Sequence, residues 1–184
     1  MKRKYVTFVL TILALGGLGL GTAQGADAPK KTKTAVGQLL HQMAALHQAD
    51  LDFQTEISAD EGRKNMRTTI QTRHRSLPPV PEEPQHQSLE QRHDGFLNSY
   101  TVIAGNIQKL IQAHVAVEQS IQAKGMKLAD LQAAVAKWTK ENAATQKSLK
   151  AIRDGFVQMG QDYLDIFRDH KAPPPQEVDQ LINH

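Results

Sequence analysis

The stretch Leu89–Ile121, LEQRHDGFLNSYTVIAGNIQKLIQAHVAVEQSI, repeats apolar residues at alternating spacings of four and three. Its seam runs Leu89, His93, Phe96, Tyr100, Ile103, Ile107, Leu110, His114, Val117, Ile121, and only the two histidines interrupt the apolar character. That spacing predicts a long helix with one side buried. A second stripe, Leu97, Ala104 and Ile111, lies beside the first at seven-residue spacing. One partner helix would leave part of so wide a face exposed, so at least two partners are expected.

Both partners are legible. Toward the C-terminus, Gly125 suits the left-handed conformation that closes a helix. Beyond it a helix over about Met126–His170 carries the seam Leu128, Leu131, Val135, Trp138, Asn142, Thr145, Leu149, Ile152, Phe156, Met159, Tyr163, Ile166. Such a helix is on the order of 60 Å long, and the short turn before it predicts that it folds straight back. Toward the N-terminus, Pro78, Pro79, Pro81 and Pro84 forbid a helix across the connector Leu77–Gln87. Before them a helix over Thr34–Ile57 buries Val36, Leu39, Leu40, Met43, Leu46, Phe53 and Ile57, with Asp50 inside its stripe. Ser58-Ala59-Asp60-Glu61 has capping-box spacing, and the apolar phase slips at Met66, Ile70 and Leu77, so a kink or a new helix is expected near Ser58. The expected fold is all-α, an elongated antiparallel three-helix bundle built on a coiled-coil hairpin.

The ends read differently. Met1-Lys2-Arg3-Lys4 runs into the apolar stretch 5–20 and then into small residues, the pattern of a secretory signal peptide over residues 1–25. An uncleaved anchor is the alternative. Residues 26–33 read as a disordered leader, 34–170 as the helical domain, and 171–184, opened by Pro173-Pro174-Pro175, as a proline-rich tail able to add a final turn. The periplasm or the exterior is the implied location.

Composition excludes several functions. The chain has no cysteine, so neither a disulfide framework nor covalently attached haem is available. Its net charge of +3 comes from Lys2, Arg3 and Lys4, which leave with the signal segment, so the mature chain is neutral and a nucleic-acid role is disfavoured. No nucleophile elbow, His-Glu-x-x-His or phosphate loop occurs, and the chain reads as a non-enzyme. No cofactor is implied by any motif.

The expected function is therefore binding: a scaffold, adaptor or holdase-like component of an envelope assembly, using uncovered seam positions to meet a protein partner or a second copy. Arg63, Lys64, Arg67, Arg73 and Arg75 form a basic run that can bind anionic lipid or lipopolysaccharide. The alternative is a metal- or haem-binding bundle. Folding the first helix onto the second brings His114 beside Asp50, with His47 three residues before Asp50, and these three make a candidate metal cluster. A register-fixing His–Asp pair is its structural counterpart. Asn142 and Thr145 break the third helix's seam and are expected to set alignment or to line a wet middle, with any hydrogen bond supplied by the first helix.

Overall fold

The computed structural model describes residues 28–125 and 127–183, so the expected signal peptide lies outside the described residues. The described chain is helical and contains no strand: α1 spans Ala28–Arg75, α2 Glu83–Ala123, α3 Leu128–Asp169 and α4 Gln176–Ile182. Among the described residues, no helix is long and apolar enough to cross a membrane.

The helix ends follow local chemistry. Residues 28–33, expected as an unstructured leader, are instead the first turns of α1. Pro29 stands where a helix has no N–H to satisfy, so it does not delay the start. Of the kink or new helix expected near Ser58, the new helix is absent: α1 is one helix of 48 residues that passes through it. Ser58 Oγ donates to the Gln54 carbonyl at 2.8 Å instead of capping a new start. The apparent phase slip has a simple cause. Beyond Ile57 the buried stripe of α1 passes through Asp60, Gln71 and His74 as well as Ile70, and apolar residues alone do not trace it.

The prolines shorten the first connector to residues 76–82, and Pro84 sits in the first turn of α2, six residues earlier than the heptads begin. Gly125, with φ +79°, makes the left-handed turn between α2 and α3.

Packing along the helices is defined by specific pairs. Asp50 meets His114, Arg67 meets Asp94 and Gln71 meets Glu90, so α1 and α2 pair in opposite order. His114 meets Glu141, Phe96 packs on Phe156 and His86 meets Asp169, the same reversal between α2 and α3. All the expected seam of α3 is buried except Leu128. On α2 the buried arc is displaced toward the second stripe: Ala104, Ile111 and Glu118 are buried while Val117 is 37% exposed. A helix that faces two neighbours buries the sector between them, and a single seam misplaces its centre.

The apolar core is in two pieces. One gathers Met43, Ile121, Leu131, Val135 and Trp138. The other runs from Phe53, Ile111 and Leu149 to Ile166, Phe167, Val178 and Leu181. Between them lies a polar layer containing His47, Asp50, His114, Glu118, Asn142 and Thr145, all buried.

Residues 171–183 do add the final helical turns expected of the proline-rich tail, and they pack on the bundle. Lys171 adopts φ +53° and the Ala172 N–H donates to the Phe167 carbonyl, turning the chain back on itself. α4 then buries Val178 and Leu181 completely, worth roughly 1.5–3 kcal/mol for each side chain. Gly160 permits this approach, because a Cβ there would lie 2.5 Å from Ile182 Cγ1 and 3.2 Å from Leu181 Cβ. Gly160→Ala should cost about 1–3 kcal/mol by overpacking. Hydrogen exchange should show faster opening of 176–182 than of mid-helix α3, and unchanged protection would contradict the seating of α4 on this glycine.

Candidate functional site

Four side chains converge where α1 and α3 end and α2 begins. His74 lies in the last turn of α1, Glu83 and His86 in the first turn of α2, and His170 is the residue that caps α3. One ligand-type atom from each lies within 4.8 Å of the others, the one such group of His and acidic residues among the described residues. The three rings form a near-equilateral triangle, with centroids 5.5, 5.1 and 5.3 Å apart.

Hydrogen bonds behind the rings set their tautomers. His74 Nδ1 is 3.0 Å from Glu90 Oε1, His86 Nε2 is 3.0 Å from Asp169 Oδ2, and His170 Nδ1 is 3.0 Å from the Pro78 carbonyl. A carboxylate or carbonyl oxygen only accepts, so in each neutral ring that nitrogen carries the proton. The lone pairs are thereby assigned to His74 Nε2, His86 Nδ1 and His170 Nε2. The last two are buried without a hydrogen-bond partner. Glu83 reaches the same space, with Oε1 3.9 Å from His74 Nε2 and Oε2 3.8 Å from His170 Nε2.

Converging lone pairs and a carboxylate need a positive charge among them. The C-terminal ends of α1 and α3 add partial negative charge at the same place. Glu90 strengthens the arrangement. Burial disfavours its ionised form, but hydrogen bonds to Gln71 and His74 and the charge of Arg75 outweigh burial and hold its carboxyl below the usual glutamate value. A carboxylate behind a ligating imidazole orients the ring and raises its basicity. The imidazole side chains are 2–3% exposed, and Glu83, at 31%, is the ligand nearest solvent. A tetrahedral ion with bonds near 2.1 Å has ligand–ligand edges of about 3.4 Å, so the two Glu83 pairs, at 3.9 and 3.8 Å, would close by about half an ångström.

The sequence-derived candidates fall elsewhere. His114 Nδ1 does lie 2.8 Å from Asp50 Oδ2, and its Nε2 lies 3.0 Å from Glu141 Oε2. Burial alone would lower the His114 pKa, yet the bonds to Asp50 and Glu141 outweigh it and raise the value above the ordinary histidine range. Carboxylates only accept, so when both bonds are made each ring nitrogen donates, and Trp138 lies against the ring face at 4.5 Å between centroids. His47 turns toward Glu118, with Nδ1 3.9 Å from Oε2. Asn142 Nδ2 donates across to the Leu46 carbonyl of α1 at 3.2 Å, and Thr145 is buried one turn on.

The basic run is largely neutralised from within. Arg63 pairs with Asp60, Lys64 with Glu61, Arg67 with Asp94 and Arg75 with Glu90, while Arg73 is exposed.

His74, Glu83, His86 and His170 are outside the heptad seams, which is why periodicity passes over them. The signal that finds them is position: His74 and His86 bracket the proline connector, and His170 precedes the second proline cluster. Residues that flank chain reversals share an end of the bundle.

Fold and site together define an all-helical protein with a histidine-rich helix-end centre. No protein-family model matches the chain, and neither the curated proteins nor the solved structures contain a match to it.

Two turns inward from His86, His93 is 4% exposed, with Nε2 2.9 Å from Asp162 Oδ2 and its ring 4.9 Å from Tyr163. Burial lowers its pKa despite Asp162, and Arg67 adds to the lowering. A histidine with a depressed folded-state pKa binds fewer protons folded than unfolded, so stability is full above the ordinary value and falls as the pH drops through it toward the folded value. Melting curves between about pH 7 and pH 5 should therefore show wild type losing more stability than His93→Gln. A parallel decline of both proteins would remove His93 from the acid sensitivity.

Proposed function

We propose that this protein is an elongated antiparallel three-helix bundle, exported to the cell envelope by residues 1–25, whose function is to bind a transition-metal ion at the helix-end centre. The observation that carries the reading is the convergence of His74, His86 and His170 on Glu83, each ring backed by its own hydrogen-bond acceptor. Three neutral imidazoles and one carboxylate suit zinc, copper, nickel or cobalt, and are poorly suited to magnesium or calcium, which prefer all-oxygen shells. Four protein ligands fill a tetrahedron and reserve no position for substrate, which favours holding the ion over catalysis with it.

The scaffold reading has less behind it. It needs uncovered seam positions, and among the described residues the exposed large hydrophobic ones are Val102 and Val117. They lie about 22 Å apart along α2 and form no contiguous patch. Binding to anionic lipid through the Arg63–Arg75 run is likewise weakened by the internal ion pairs.

Titrating chelator-treated protein with cobalt should develop a visible absorption band of a nitrogen-rich site, and His86→Ala with His170→Ala should abolish it. Asp169→Asn, which replaces the carboxylate behind His86 with a neutral amide, should lower affinity about 10–100-fold. Metal at 100 times its dissociation constant should stabilise the fold by about 2.7 kcal/mol. An unchanged melting temperature with saturating zinc, cobalt, nickel or copper would overturn the proposal.

A further inference from the structure

We infer that the polar layer dividing the core is a second, chemically distinct metal site, in which His47, Asp50 and Glu118 hold a divalent first-row cation and His114 orients the Asp50 ligand. The inference is independent of the helix-end centre, from which it is separated by most of the length of α3.

The layer is short of hydrogen-bond partners in a specific way. His47 is 9% exposed and neither of its ring nitrogens has a partner. Asp50, 2% exposed, uses Oδ2 on His114 and leaves Oδ1 buried without one. Glu118 is 7% exposed, and its Oε2 lies 3.9 Å from His47 Nδ1. A buried polar group without a partner costs about 1–3 kcal/mol, and the unpartnered His47 ring and Asp50 Oδ1 on one face of α1, with the Glu118 carboxylate opposite them on α2, point to a common ligand. Polar bundle cores hold metals in this manner, with a histidine and a carboxylate at i and i+3 on one helix and a carboxylate on its neighbour. His47 and Asp50 supply that spacing on α1, and Glu118 faces them from α2.

His114 completes the arrangement from behind. Its Nδ1–H donates to the far oxygen of Asp50 and its Nε2–H to Glu141, which fixes the carboxylate so that Oδ1 remains for an ion. The ligand atoms do not converge within 4.8 Å as those of the helix-end centre do, so loading includes a side-chain rotation that draws His47 and Glu118 together. One nitrogen and two carboxylates make a harder donor set than three imidazoles, and manganese, ferrous iron, cobalt and zinc are its chemical class.

Trp138 is the single tryptophan of the chain and stacks on His114, so its fluorescence reports this layer. His170 is 32 residues further along α3, about 48 Å, beyond contact quenching. Cobalt or manganese added to the chelator-treated full chain should quench Trp138. The quenching should persist in the double variant His86→Ala with His170→Ala, where bound metal measured after gel filtration should fall from two equivalents to one. Glu118→Gln keeps the shape and removes a buried charge, so the fold should survive, while quenching and one equivalent should be lost. His47→Gln should do the same. Wild-type fluorescence that does not respond to cobalt or manganese, or metal content of one equivalent that vanishes completely in His86→Ala with His170→Ala, would overturn the second site and leave the layer a proton-holding network. Quenching retained in both Glu118→Gln and His47→Gln would also overturn it.

Discussion

A polar group on the inner face of a long helix must find its partner on another helix, and this requirement fixes how the chain is assembled. Apolar seams alone would tolerate sliding by a heptad, because one leucine-sized layer resembles the next. The cross-helix contacts do not tolerate it. Asp50 with His114, Gln71 with Glu90, His93 with Asp162 and His86 with Asp169 set the alignment at successive heights, and slipping one helix would strand each of these groups in the interior. Buried ion pairs add little net stability, but breaking one side of such a pair is expensive. Register is what they contribute here.

The same requirement explains which parts of the structure periodicity reveals. Helix content, the long seams of α2 and α3 and the glycine turn at Gly125 follow from apolar spacing and one backbone preference. The meeting of His114 with Asp50 follows from folding the chain about its prolines, and the Asn142 bond to α1 from the absence of a partner on α2. Other features are hidden because they consist of polar residues on buried faces. Asp60, Gln71 and His74 continue the stripe of α1 past Ser58, so a pattern written in apolar letters ends too soon. Glu90 is buried for the partners it meets, not for its own hydropathy. The helix-end centre is a matter of which chain reversals coincide in space, and no single helix displays it.

Charge is distributed to match. The basic run of α1 would be an extended cationic surface by composition, yet neighbouring acids claim most of it. Among the groups left without partners are interior imidazoles and carboxylates at one end and at mid-length, beside atoms of Arg67, Trp138, Asn142 and Tyr163. Those two locations have different donor chemistry, one rich in imidazole and the other in carboxylate.

The closure of the core by α4 bears on the order in which the chain becomes a protein. Val178 and Leu181 seal a core that also contains Ile70, Ile166 and Phe167, and they are synthesised after all three long helices. A chain emerging from the ribosome therefore lacks part of its interior until residues 176–182 have followed the three long helices, and the Pro78 carbonyl must likewise wait for His170. The last short helix completes an interior that the long helices begin.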